Sequence, residues 1–544
     1  MSKGGHLGPL TRRGFLSTSS LALAGIATRG MGQTAPSTRL VPTRSRRPVT
    51  DFAPPLLDAE ALRTFATAAM EAAVAAGAEY ADIRVSDSRF FVPTGDPSVA
   101  SRLTLACGFG LRVQVGGATT FVSGADFTRD SLARTAQEAT HSARLLAAVA
   151  KQPRLALSAP VVRGEWSVPV EIDPFTVSPE DHCALLGGFQ QPHGHGRGGD
   201  ILDAEAEWTV ETRVFAASTG SLLTQHLTRC NPKFGTRSKS WRTDWIGYGI
   251  PVRVPYSAGV EYLLAPKLHE QLHAAVAEVE ELVRIPLGKT DVGRKEIVMD
   301  GYAHGAAVGK VLLPALSLSR VLGEEQNHAG TSIWSPIETA LGHPVGVPGF
   351  NLRVASELPS FGATRWDDDG VATTPATIID DGVLVDYFGT RFNRAALPQA
   401  LQQLRGTTTT PDVQRPPTGM PTAVVVNAAA SGPTLTDLVS QINDGFLLRG
   451  VRWVETDPQG NGGVISPDVL LEIKRGKILR RIMNATVEFP ARKLWTGLTT
   501  MGSSSTLCPA VCIAQLEPPP WKRVLTVVTA PAAHFRSVDI VHKV

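Results

Sequence analysis

The sequence predicts an α+β protein, with an N-terminal α+β lobe followed by a C-terminal β-rich, barrel-like lobe. Two observations carry this. Residues 59–150 place paired strands between two amphipathic helices instead of alternating single strands with helices. From residue 345 onward, short strands and turns dominate.

The chain has 544 residues, 43% apolar and 19% charged, as in ordinary globular proteins. Its 53 basic and 50 acidic residues leave a net charge of +3, too balanced for a nucleic-acid binder. Five cysteines give no disulfide framework. Beyond the N-terminus there is no apolar run of about 18 residues, so no later membrane span is expected.

Residues 1–35 read as a twin-arginine (Tat) export signal. Arg12 and Arg13 precede Phe15 and Leu16, a short apolar stretch follows, and small residues between Ala24 and Ala35 offer cleavage points. The expected destination is periplasmic or secreted. Residues 36–57 form a linker within a stretch rich in Pro, Ser, Thr and Arg.

The N-terminal lobe is expected over 58–290 and the C-terminal lobe over 291–544. A first helix fits 59–76, capped by Asp58, with Leu62, Phe65, Ala69 and Ala73 on one face and Gly77 at its end. The strand YADIRVS follows, then GFGLRVQV and ATTFVS as a hairpin through Gly116-Gly117. A second helix fits 129–150, with Leu132, Ala136, Ala139, Ala143 and Leu146 facing inward. AEWTVETRVFAAS turns at Gly220 into SLLTQHLTR, and VLLEIKRGKILRRI is a hairpin turning at Arg475-Gly476. Residues 405–419 are low in complexity and are expected to be a mobile loop.

In order along the chain stand AGAEYADIRV (76–85), GFGLRV (108–113), RGEWSVPVEIDPF (163–175), RVFAASTGSLLTQ (213–225), RVLGEEQNHAGTS (320–332), WDDDGV (366–371), DGFLLRG (444–450), KLWTGLTTMG (493–502) and PAAHFRSVDIV (531–541). In number, order and spacing these segments resemble the TldD/PmbA family. The resemblance implies a two-lobed protein that pairs as a homodimer or with a TldD/PmbA-type paralogue. It also implies descent from zinc peptidases that cleave small or unfolded peptides in an enclosed chamber. In active members a helix carries His-Glu-x-x-x-His, and a C-terminal cysteine adds a further ligand.

Asp300 to Arg320 lies on that pattern without a gap. Gly309 and Pro314 stand at the histidine positions, Lys310 at the glutamate, and Ser317 and Ser319 at later acidic positions. Gly and Pro offer no lone pair to zinc, and a protonated lysine can neither act as base nor tolerate a cation. Pro314 is expected to kink or end the helix. Cys512 is the better counterpart of the ligand cysteine, with Cys508 as the alternative, and the favoured reading of both is a buried or idle thiol.

A second motif lies upstream. His269-Glu270-Gln-Leu-His273 spells HExxH, with Glu270 as potential base and Glu296 as potential third ligand. Leu268, Leu272, Ala275, Val279 and Leu282 also make this an ordinary amphipathic helix. His182, Cys183, His193 and His195 surround a glycine-rich loop, and His304 and His328 flank the altered motif. GFGLRV is no dinucleotide fingerprint, and neither a nucleophile elbow nor a phosphate loop occurs.

The expectation is an exported, non-proteolytic partner subunit or peptide-binding scaffold, with no cofactor and no nucleic acid. One alternative is an active zinc peptidase using residues 269–273. The other is a purely structural exported protein, which a closed, side-chain-filled lobe interface would favour.

Overall fold

The computed structural model describes residues 51–542, apart from 150–154, 191–198, 239–251, 290–292, 327–329, 358, 411, 483–484 and 516–522. The Tat signal, the linker up to residue 50, His193, His195 and His328 lie outside the described residues.

The N-terminal lobe is one twisted sheet with helices on both faces. α1 (Ala59–Ala75) starts where Asp58 accepts the Ala61 N–H at 2.8 Å and ends before Gly77, whose φ of +92° suits glycine. β1 (Tyr80–Val92), β2 (Arg102–Val115) and β3 (Ala118–Gly124) form a meander, followed by α2 (Arg129–Val149). β4 (Arg163–Ser167), α3 (Pro179–Phe189), the long hairpin β5 (Gly199–Ala217) and β6 (Leu222–Ser238), and β7 (Val252–Arg253) complete the sheet. Its order is β3-β2-β1-β5-β6-β4, with β7 beside β6. α1 and α2 bury Leu62, Phe65, Ala69, Ala136 and Ala143 against Ile83, Val85 and Leu111. Leu146, expected to face inward, is 47% exposed, because the inward stripe of α2 stops at Ala143. On the opposite face α3 and α4 (Pro266–Arg284) pack Leu186, Phe189, Leu268 and Leu272 around Trp208 and Phe234.

The C-terminal lobe is two large sheets with a helix between them, and a separate two-stranded sheet. Its strands are β8 (Leu287–Gly288), β9 (Gly293–Met299), β10 (Leu352–Val354), β11 (Ala376–Asp380), β12 (Val383–Leu384), β13 (Thr408–Thr409), β14 (Thr418–Gly419), β15 (Ala423–Val426), β16 (Asp444–Arg449), β17 (Trp453–Thr456), β18 (Gly462–Ser466), β19 (Val469–Lys474), β20 (Lys477–Ile482), β21 (Ala485–Pro490), β22 (Leu498–Met501), β23 (Cys508–Gln515), β24 (Arg523–Ala530) and β25 (Ala533–His542). One sheet runs β17-β18-β21-β25-β9-β16-β19-β20-β8 with β22 on β25, and the other runs β12-β11-β10-β15-β24-β23. α5 (Gly301–Ala307) lies between them, touching β23 and β24 on one side and β9 and β16 on the other. The β19–β20 hairpin turns through Arg475 and Gly476, both at positive φ, as its sequence predicts.

The expected mobile loop at 405–419 is a correction. Thr407–Thr410 are buried and β13 pairs with β14. The threonine run supplies N–H and hydroxyl donors to buried carboxylates, a use that composition alone does not reveal. Among the described residues no helix is long and apolar enough to cross a membrane.

Candidate functional site

The altered motif lies on a helix that is buried except at Lys310, which is partly exposed. Asp300 caps it, accepting from Ala303 N at 2.7 Å, Gly450 N at 2.9 Å and Arg449 Nη1 at 3.1 Å. Arg449 also binds Glu278 of α4 through Nε at 2.9 Å, tying that helix to this cap. Burial pushes the Asp300 and Glu278 carboxyls above their ordinary range, and Arg449 opposes both shifts.

Gly301, Gly305 and Gly309 form a seam on β23. A Cβ at Gly301 would meet Cys508 Cβ at 2.9 Å, one at Gly305 would meet Ala510 Cβ at 3.1 Å, and one at Gly309 would meet Cys512 Sγ at 2.2 Å. The match is one of rise. Four helical residues advance about 6 Å and two strand residues about 6.6 Å, so every fourth residue of the helix meets every second residue of the strand. The helix widens at Val308–Leu312, where the Leu313 N–H reaches back five residues to Val308 O. Pro314 follows directly. It has no N–H to donate to Lys310 O, and its ring crowds that carbonyl, so a widened turn relieves the conflict. The helix ends at Leu316, in line with the sequence expectation. A widened turn also stacks residues five apart, which is the separation of positions 309 and 314.

The donor set here is poor. Cys512 is 2% exposed, and burial pushes its thiol up to about 12 while nearby Lys310 pulls the other way. Ser317 and Ser319 are buried, and Ser319 Oγ accepts from Asn393 Nδ2 at 3.1 Å. His304 is fully buried. One ring nitrogen, Nδ1, bonds Pro531 O at 2.8 Å, Nε2 has no partner among the described residues, and the ring sits against Phe535 and Trp495. Burial drives its pKa down to about 4. Zinc, which the family resemblance implies, does not fit residues Gly309, Lys310, Pro314 and Cys512: only one of the four is a donor, it is held as a thiol, and a lysine stands beside it.

The HExxH residues lie elsewhere, on α4. Leu268, Leu272, Ala275, Val279 and Leu282 are buried as the amphipathic pattern predicts. His269 is half-buried with its ring stacked 4.8 Å from Phe189, while Glu270 and His273 are exposed. Burial, then the neighbouring His273, lower the His269 pKa. Glu296 is on β9, with its carboxylate 3.8 Å from His534 Nε2 and 3.9 Å from Arg536 Nε. Among the described residues no three His, Cys, Asp or Glu side chains converge on a possible metal position. His182 is buried against Phe91 and Trp208 with Nε2 bonded to Pro174 O at 2.8 Å, and Cys183, like the other four cysteines, is free.

Sequence reading missed a buried ion-pair network that locks the lobes together. Asp82 on β1 pairs with Arg84 at 2.6 Å and Arg112 at 2.6 Å, and Arg112 bridges to Asp369 at 2.5 Å. Arg84 Nε donates to Asp368 O, and Arg213 pairs with Asp368 at 2.6 Å. Thr408 Oγ1 donates to Asp369 and Thr410 N to Asp368. Burial pushes the Asp82 carboxyl up, but Arg112 and Arg84 win and hold it at about 2. Burial and Asp369 together raise Asp367, which accepts N–H groups from Val371, Asp369 and Thr408. The available signal was opposite charge at alternate positions of one strand, Asp82 and Arg84, together with the Asp367-Asp368-Asp369 run.

The comparisons agree with this architecture. Residues 292–540 match the family described as PmbA/TldA metallopeptidase C-terminal domain. No curated protein matches. TldE from Thermococcus kodakarensis superposes with a TM-score of 0.65 at 14% identity, covering 88% of this chain and 99% of its own. A candidate modulator of DNA gyrase from Bacteroides thetaiotaomicron gives 0.62 at 17%, and another from Thermotoga maritima 0.62 at 13%, each over 88% of this chain and 99% of that one. At such identities these structures speak for the fold. Through its C-terminal domain the chain is related to the metallopeptidase-like PmbA/TldD family.

Proposed function

We propose that this protein is a non-proteolytic relative of the PmbA/TldD peptidases, exported by the Tat route and working as a partner subunit or peptide-binding scaffold. The observation that carries this reading is the contact between Gly309 and Cys512. Where the resemblance implies a histidine and a cysteine sharing a metal, a glycine is pressed against a buried thiol, with Lys310 alongside. The partner is a second copy or a catalytic paralogue. Affinity capture of the exported protein from its own periplasm tests this. Recovery with a paralogue or as a homodimer supports the subunit role, and a monomer that binds neither partner nor peptide contradicts it.

One observation favours the structural reading as a second possibility. The described contact between the lobes is filled by ion pairs, with Arg84, Asp82 and Asp369 fully buried. Fluorescence anisotropy with short unfolded peptides separates the two readings: saturable binding favours the scaffold, and its absence together with absence of a partner favours the structural role. Active-peptidase chemistry through His269, Glu270 and His273 predicts chelator-sensitive cleavage abolished by Glu270→Gln.

A further inference from the structure

A pocket of about 690 Å³ opens on the C-terminal lobe, lined by Arg294, Lys493, Thr496, Thr499 and Arg536, with Val347 at its side. Two irregularities shape it. β22 slips register between Leu498 and Thr500, leaving Thr499 as the extra residue. β25 slips between Phe535 and Val538, and there the Arg536 N–H donates to Gly497 O at 2.8 Å. Such bulges re-aim side chains that a regular strand would send elsewhere. Here they bring Thr499 and Arg536 to one cavity.

The pocket is positively charged and loosely held. Arg294 lies 3.6 Å from Asp539 and Arg536 lies 3.9 Å from Glu296, and these arginine side chains are 61% and 66% exposed. Exposed pairs at such distances contribute little, so both guanidinium groups are free to turn to a ligand. Among the described residues Lys493 makes no ion pair. Behind Thr499 stands His534, 6% exposed, its Nδ1 2.8 Å from Thr499 Oγ1. Its Nε2 is buried without a hydrogen-bond partner among the described residues, 3.8 Å from Glu296.

We propose that this pocket binds the phosphoryl group of a small molecule. Two guanidinium forks and an ammonium offer more donors than the two oxygens of a carboxylate can accept, while the Thr496 and Thr499 hydroxyls donate to Arg492 O and His534 O. The three free oxygens of a phosphoryl group match them, and its negative charge meets a wall in which three cations face two carboxylates. The proposal is independent of the state of the peptidase motif, since these residues take no part in it.

Isothermal titration of the folded mature chain at low ionic strength tests the assignment, with inorganic phosphate, glycerol 3-phosphate and glutarate as separate titrants. Saturable binding of both phosphates, weaker binding of glutarate, and a loss of about tenfold in Lys493→Ala and in Arg536→Ala are expected. Lys477→Ala, an exposed lysine on β20, is the control and leaves affinity unchanged. Glycerol 3-phosphate binding more tightly than phosphate identifies a phosphate ester as the ligand, and equal affinity identifies free phosphate. Absence of binding, glutarate binding as tightly as phosphate, or unchanged affinity in both variants overturns the proposal. Both side chains are exposed, so loss of fold does not confuse the outcome.

Discussion

Gly309 and Cys512 touch across the boundary between the buried helix and β23, with room for no side chain between them: a Cβ on Gly309 would lie 2.2 Å from Cys512 Sγ and 2.5 Å from Cys512 Cβ. Adding one methyl group there overpacks the core. Gly309→Ala therefore lowers stability by about 1–3 kcal/mol in denaturant unfolding. Part of that loss returns in a Cys512→Ala background, because removing Sγ removes the nearer clash. A double-mutant cycle measures this coupling. Additive effects would mean that the two sites do not share the space.

His304 makes stability depend on pH. Its folded pKa, about 4, lies below the ordinary value of 6.5, so the unfolded chain binds a proton in a range where the folded chain does not. The stabilising effect of the neutral ring is full above pH 6.5 and is lost as pH falls towards 4. Over that window the contribution amounts to about 3 kcal/mol. His304→Gln flattens this part of the profile in thermal melts recorded between pH 4 and 7. An unchanged slope would show that other groups carry it.

The ion-pair network makes each member costly to remove alone. Asp369→Ala leaves Arg112 buried with one partner fewer, and a loss of about 3–5 kcal/mol is expected. Calorimetry should then show the two lobes melting at separate temperatures. Asp82 adds acid sensitivity of the same sign at lower pH. Its carboxyl is depressed to about 2 from 3.8, so its contribution is present above pH 3.8 and disappears as pH falls towards 2.

On α4 the expectation is bland. Glu270 is exposed, and Glu270→Gln should change stability by no more than about 0.5 kcal/mol and leave peptide turnover at background. Loss of a measurable chelator-sensitive activity in this variant would restore the HExxH reading.

The local pattern of the N-terminal lobe was legible because it is periodic. Asp58, Gly77 and the inward stripe of α1 follow from capping and spacing alone. The threonine run at 407–410 was not legible, because its role is set by Asp367–Asp369 some forty positions away in the chain and by arginines on another lobe. The candidate site divides in the same way. Replacement of donors at 309, 310 and 314 is visible in the sequence, whereas the contact of Gly309 with Cys512 depends on matching a helix rise to a strand rise. Nothing local marks Thr499 and His534 as neighbours, because a register slip brings them together.

Where the family resemblance implies a metal, Gly309 packs against Cys512. Elemental mass spectrometry of the purified, folded protein after exhaustive dialysis tests whether that position holds zinc. Near-zero zinc is expected, with the fold intact by circular dichroism. Close to one zinc per chain would contradict it, and His269→Ala would then show whether the HExxH helix holds the metal.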